Sequence, residues 1–264
     1  MSDEVGAPGR GQARGPRVIT KTEAEIDAMR RAGAVVAEAL EAMRAAVAPR
    51  LETIELDRVA EELIRSRGAV PSFKGYNGFP ASVCVSINDE VVHGIPGGRA
   101  LRAGDIVSLD VGAIVDGYQA DAAATYAVGE ISPQAQRLVR VTRQALHDGI
   151  AQARAGRTLR DIARAVEKRV TAGGYSVVRE LVGHGIGRDM HEPPQIPNYV
   201  SGAPALELLP GMTLAIEPMV NAGAGELVKD ADGWTFRTQD GSLSAHWEHT
   251  VVVREKGAEI ITIR

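Results

Sequence analysis

The chain has 264 residues, 44% of them hydrophobic, and a formal net charge of −4. That suffices for a sizeable core, while the mild negative charge supplies no basic field for sequence-independent binding of nucleic acid. The single cysteine, Cys84, excludes an intrachain disulfide, and no apolar run approaches the roughly 20 residues of a membrane helix.

Residues 1–21, rich in Gly, Pro and Arg and without an apolar period, are expected to form a disordered tail whose Arg10, Arg14 and Arg17 keep it soluble. They carry no apolar export segment, which with the lone cysteine suits a cytoplasmic protein. Thr22 and Glu25 make a capping box ahead of the repeat Ile26, Met29, Ala32, Val36, Leu40 and Met43, a long amphipathic helix. A second helix is expected over about 54–67, with Leu56, Val59, Ala60, Leu63 and Ile64 on one face and Gly68 as its stop. Short β-rich runs follow from 83 to 129, VCVSI, IVSLDVGAIV and ATYAV, separated by turn residues. Two further helices are read at about 133–154, after Ser132-Pro133, and about 159–172, between Thr158 and Gly173-Gly174. The remainder is β.

The order helix, helix, strands thus occurs twice, without a residue-level repeat and without a linker long enough to divide residues 22–264. We expect one α+β domain there, an antiparallel sheet with helices on its outer face and the polar site on the opposite, concave face.

Five side chains break otherwise apolar or glycine-rich runs. Asp110 interrupts IVSLDVGAIV, and Asp121 follows after the turn signal Val115-Asp116-Gly117, so a hairpin can bring the two carboxylates together. His184 sits in GHGIG, Glu217 in LAIEPMV and Glu248 in WEHTVVV. Each alone has an ordinary explanation as a hydrogen-bonded buried residue. Together, four carboxylates and a neutral imidazole carry a charge that two divalent cations balance, which points to a two-metal hydrolase. His246 shares strand parity with Glu248 and lies near the site in this reading, His249 faces away, and His147 is a packed or solvated helix residue. Cys84 fits a small buried hydrophobe or a pocket wall.

These residues resemble the metal-dependent pita-bread peptidases, and among them the type I methionine aminopeptidases. The resemblance covers residues 22–264 and rests on GYNGFPASVCVSINDEVVHGIP at 75–96, LDVGAIVDGYQAD at 109–121, GHGIGRDMHEPP at 183–194, AIEPMV at 215–220 and WEHTVVV at 247–253. The aspartate pair and GHGIG also occur in prolidases and aminopeptidase P enzymes, which usually differ at the HGIP and EHT positions. The stretch between His191 and Glu217 is too short for the helical insertion of the type II enzymes.

The resemblance implies that Asp110 ligates one metal, His184 and Glu217 the other, and that Asp121 and Glu248 bridge the pair. A bridging hydroxide would attack the first peptide carbonyl with Glu217 as general base. His191 would stabilise the oxyanion and His93 contact the peptide nitrogen. Tyr76, Phe79, Cys84, Met190 and Trp234 would wall the methionine pocket. Asn77 and Met190 depart from the histidine and the aromatic residue common in bacterial relatives.

The expected activity is removal of initiator methionine from nascent chains by a cytoplasmic monomer using Mn, Fe, Co, Zn or Mg, with transient ribosome contact and no membrane or specific nucleic-acid partner. Two alternatives stay open: a proline-directed exopeptidase with the same metal chemistry, and a non-catalytic binding module, which would usually have lost ligands that this chain retains.

Overall fold

The structure, a computed structural model, describes residues 18–202 and 205–263. The tail assigned to residues 1–21, with Arg10, Arg14 and Arg17, therefore falls mostly outside the described residues. Within its last residues, Thr20 bridges to Met212 and the Lys21 amide donates to Gly211 O at 2.8 Å, so tertiary contacts begin ahead of Thr22.

Thr22 starts helix α1 (Glu23–Ala46) because its hydroxyl accepts from the Glu25 amide while the Glu25 carboxylate accepts from the Thr22 amide, two donors that no helical turn can satisfy. Its apolar repeat is buried as expected. Helix α2 spans Thr53–Ser66, α3 Pro133–Ile150 and α4 Leu159–Ala172. Helix α3 stops short of the expected 154. Its sequence allows further helix, but Arg154 bridges to Arg254 and the Ala155 amide donates to Arg254 O at 3.0 Å, so tertiary pairing wins over local propensity.

The first half contributes Val70–Pro71 (β1), Val83–Ile87 (β2), Glu90–Val92 (β3), Ile106–Val115 (β4) and Tyr118–Ala127 (β5). The second contributes Ser176–Val177 (β6), Gly183–Gly185 (β7), Glu192–Ile196 (β8), Thr213–Ile216 (β9), Met219–Asn221 (β10), Leu227–Lys229 (β11), Phe236–Thr238 (β12), Ser244–His246 (β13), His249–Val253 (β14) and Ala258–Ile260 (β15). Pairing between these strands is antiparallel and divided among four ladders. Two of them hold the site: β4 with β1, β2 and β5, and the ladder β15-β14-β9-β7-β8. Asp116 and Gly117 turn the β4–β5 hairpin with φ of 51° and 77°, the doubly positive geometry that Asp-Gly adopts readily.

Helices α1 and α2 bury their apolar faces with Val85, Leu109 and Val111 of the first ladder. Helices α3 and α4 do the same with Leu214, Ile216 and Val251 of the second. Each half is thus two helices on antiparallel strands, an α+β layering with its helical layers built from the two sequence repeats of order. The halves join where the Glu248 amide donates to Ala123 O at 2.8 Å and the Asp121 amide to Thr250 Oγ1 at 3.0 Å. That seam carries the polar residues.

Candidate metal centre

The strand register explains how the five isolated polar residues meet. On β4 and β5, Asp110 faces Ala123 and Asp121 faces Gly112, so the two carboxylates are diagonal neighbours on one face of the hairpin. Cys84 lies directly across from Asp110 on β2. From the other half, His184 pairs with Ala215 on β9, Glu217 follows the end of that strand, and Glu248 immediately precedes β14.

His184 Nε2 lies 3.6 Å from both Asp121 Oδ2 and Glu217 Oε1. Donor atoms of Asp121, His184 and Glu248 fall within 4.8 Å of one another. The glycines around His184 have a reason the sequence alone does not show. A Cβ on Gly183 would meet Ala215 O at 2.4 Å, and one on Gly185 would meet Pro193 O at 2.4 Å. They admit the neighbouring strands' carbonyls, where the sequence suggests room for a ligand.

The electrostatics show what the cluster suits. His184 Nδ1 is 2.9 Å from Gly185 O, and a carbonyl can only accept, so that nitrogen carries the proton. Burial lowers His184 to about 4 and keeps the ring neutral. Its Nε2 lone pair therefore faces two carboxylate oxygens. Burial raises Asp110 well above the usual range, with the Asp121 charge adding to it, and burial first, then neighbouring carboxylates, does the same to Glu217 and Glu248. Asp121 is also raised by burial, opposed by the Thr250 hydrogen bond. Asp110 Oδ1 is buried without a hydrogen-bond partner among the described residues. Electron-rich atoms converging in this way fit divalent cations held by oxygen and one imidazole nitrogen.

One cavity is lined by the twelve residues given a metal, catalytic or pocket role from the sequence: Asp110, Asp121, His184, Glu217, Glu248, His93, His191, Tyr76, Phe79, Cys84, Met190 and Trp234. Phe73 and Asn77 complete the lining. Phe79 and Trp234 meet edge to face at 5.1 Å. His191 stands at the rim with its ring 4.2 Å from that of His184 and its Nδ1 2.9 Å from Tyr76 Oη. Desolvation, then the His184 ring, lowers His191, and desolvation lowers His93 to about 4, so both are neutral near pH 7.

His246 is buried with Nε2 3.8 Å from Glu217 Oε2, close to the site as parity suggests. His249 turns away to Thr262 Oγ1 at 2.9 Å, beside His147.

Sequence reasoning passed over Thr250 and Asn198. Thr250 Oγ1 lies 2.9 Å from Asp121 Oδ1, and Asn198 Nδ2 donates to Glu217 O at 3.0 Å. Thr250 sits inside the EHT motif and could have been found there; Asn198 has no local signal.

Metallopeptidase family M24 matches residues 27–255. The chain is 49% identical over 247 residues to the methionine aminopeptidase of Clostridium acetobutylicum, covering 93% of this chain and 99% of that one. It superposes on the crystal structure of Thermotoga maritima methionine aminopeptidase with a TM-score of 0.92 at 44% identity, covering 94% of this chain and all of that one. Similarity to the Xaa-Pro dipeptidase of Bacillus anthracis is weaker: a TM-score of 0.73 at 26% identity, over 92% of this chain and 61% of that one.

Proposed function

The chain belongs to metallopeptidase family M24, among its methionine aminopeptidases, and on that footing we propose that it removes the N-terminal initiator methionine from nascent proteins by dinuclear-metal hydrolysis. The observation carrying this reading is the neutral His184 Nε2 facing the Asp121 and Glu217 carboxylates at 3.6 Å, an arrangement completed by a cation. Asp110, Asp121, His184, Glu217 and Glu248 would hold two divalent ions, with Mn, Fe, Co, Zn and Mg all compatible with such donors. Bound there, the ions supply an acidified water as nucleophile and polarise the scissile carbonyl.

The remaining steps fall to the protein. Glu217, whose carboxylate opens to the cavity, takes the attacking water's proton and delivers it to the departing amine. Tyr76 Oη lies 2.9 Å from His191 Nδ1; with the hydroxyl as donor there, the imidazole would present Nε2–H to the developing oxyanion. His93 faces the scissile peptide nitrogen. Tyr76, Phe79, Cys84, Met190 and Trp234 enclose an unbranched apolar side chain, and aromatic faces with a thioether suit the sulfur of methionine. Action on nascent chains would place it in the cytoplasm in transient contact with the ribosome, and we read it as a monomer there.

The deciding experiment measures release of methionine from a Met-Ala-Ser peptide by metal-stripped protein after Mn, Fe or Co is restored, beside an Xaa-Pro peptide and a Glu217→Gln control. Metal-dependent release of methionine, lost in the control, is expected. Cleavage of the Xaa-Pro peptide alone would reassign the protein to proline-directed exopeptidases, and no turnover with any metal would leave a binding module.

A further inference from the structure

We propose that Lys21 and Glu192 form a positioning pair for His191, which makes the segment ahead of the first helix a working part of the site; the inference rests on the role proposed above for His191. Lys21 Nζ meets Glu192 Oε2 at 2.5 Å, and the two side chains are only 4% and 6% exposed. The other carboxylate oxygen of Glu192 accepts from the amides of Arg188 at 2.8 Å and Asp189 at 3.3 Å. It thereby closes the turn that delivers Met190 and His191 to the cavity.

Gly187 makes room for the pair, since a Cβ there would meet Lys21 Cε at 2.3 Å and Glu192 Oε1 at 2.6 Å. At its other end Lys21 is fixed by its amide to Gly211 O, next to the Met212 that Thr20 bridges. The strand starting at Thr213 leads to Glu217. One lysine therefore ties the approach to the general base to the turn bearing the oxyanion donor.

Stability alone is a poor reason for this arrangement. A buried ion pair commonly contributes no more than well-packed apolar residues of the same size, although losing one partner strands a charge. What the pair does fix is where residue 191 leaves the turn. The ring lies 4.2 Å from His184, so a small displacement of that turn moves the oxyanion donor directly.

The test is a double-mutant cycle on metal-loaded full-length enzyme. Lys21→Met should lower kcat for Met-Ala-Ser on the order of tenfold, the scale of a slightly misplaced group, with KM changing less. In a His191→Ala background the same substitution should add almost no further loss in kcat; two losses that multiply would overturn the proposal. If Lys21→Met alone does not fold, Lys21→Met with Glu192→Gln replaces it, because the amide oxygen still accepts from the turn and no charge is left unpaired.

A second readout is independent of peptidase activity. With ring-labelled histidine, either variant should shift the His191 resonance of the metal-free protein while leaving that of His93 in place, and an unmoved His191 signal would overturn the proposal. Absence of methionine release by the parent would count against the proposed function, and the ring signal would still decide the pair.

Discussion

Tyr76 Oη lies 2.9 Å from His191 Nδ1, and the two rings stack with centroids 5.5 Å apart and planes 28° from parallel. A phenol has one hydrogen; once it is given to Nδ1, the imidazole proton must sit on Nε2, the nitrogen left to face substrate. Tyr76→Phe keeps the stacked ring and removes that hydrogen. We expect kcat to fall about tenfold with KM nearly unchanged, and His191→Ala to cost on the order of 10²-fold, as for other oxyanion donors. Steady-state kinetics on Met-Ala-Ser checks both, and an unaltered kcat in Tyr76→Phe would show that the hydroxyl does not set the tautomer.

Thr250 supports Asp121 from behind: its hydroxyl lies 2.9 Å from Oδ1 and also accepts from the Asp121 amide. Thr250→Val conserves shape and frees the carboxylate to rotate. Metal affinity should drop about 10–100-fold, the usual effect of losing a group that orients a ligand. Calorimetric titration of stripped protein with Mn measures it directly, and wild-type affinity would count against a supporting role for Thr250.

The crowded carboxylates predict a pH-dependent stability that depends on metal. Burial raises Asp110 in the folded chain, so its protonated form costs nothing below the unfolded carboxylate pKa of about 4, while above it folding increasingly penalises the charge. In chelator, Asp110→Asn should therefore be more stable than the parent near pH 7.5, by about 1–3 kcal/mol, with the gap closing towards pH 4. Comparing variant with parent cancels the opposite trend from His184, whose lowered pKa weakens the fold as acid protonates it. Excess Mn should reverse the order. Thermal melts across pH decide the matter, and a parent that is the more stable in chelator at pH 7.5 would contradict the account.

Gly112 lies across from Asp121 on the β4–β5 hairpin, where a Cβ would sit 2.9 Å from Ser72 Cβ, 3.0 Å from Phe73 Cε1 and 3.1 Å from Met190 Cε. Two of those neighbours line the cavity. Gly112→Ala should push them inward, lowering stability by about 1–3 kcal/mol and raising KM for methionyl peptides more than it lowers kcat. Kinetics and a thermal melt on the same preparation separate the two effects.

The fold was legible wherever a local signal carried the decision. The Thr22–Glu25 cap, the Asp116-Gly117 turn and the β-rich run IVSLDVGAIV of β4 each name their element in a few residues, and isolated carboxylates in apolar strands marked the site. What stayed hidden depends on partners distant in sequence. The end of α3 is set by Arg254, the need for glycine beside His184 by carbonyls of Ala215 and Pro193, and the burial of Lys21 by Glu192. None of these has a period or a motif, because the physical cause sits on a segment distant in sequence.

The strand β8, at the free edge of its ladder, begins Glu192-Pro193-Pro194 just beyond His191. Adjacent strand residues point their N–H groups to opposite sides, so the proline pair takes a backbone donor from that edge as well as from the side facing β7, and an extended polypeptide lying alongside finds fewer N–H groups with which to zip onto the sheet. An enzyme whose proposed substrates are unfolded chain ends meets sticky, unpaired backbone at every turnover. Its rim is built to let each of them go rather than to seed aggregation.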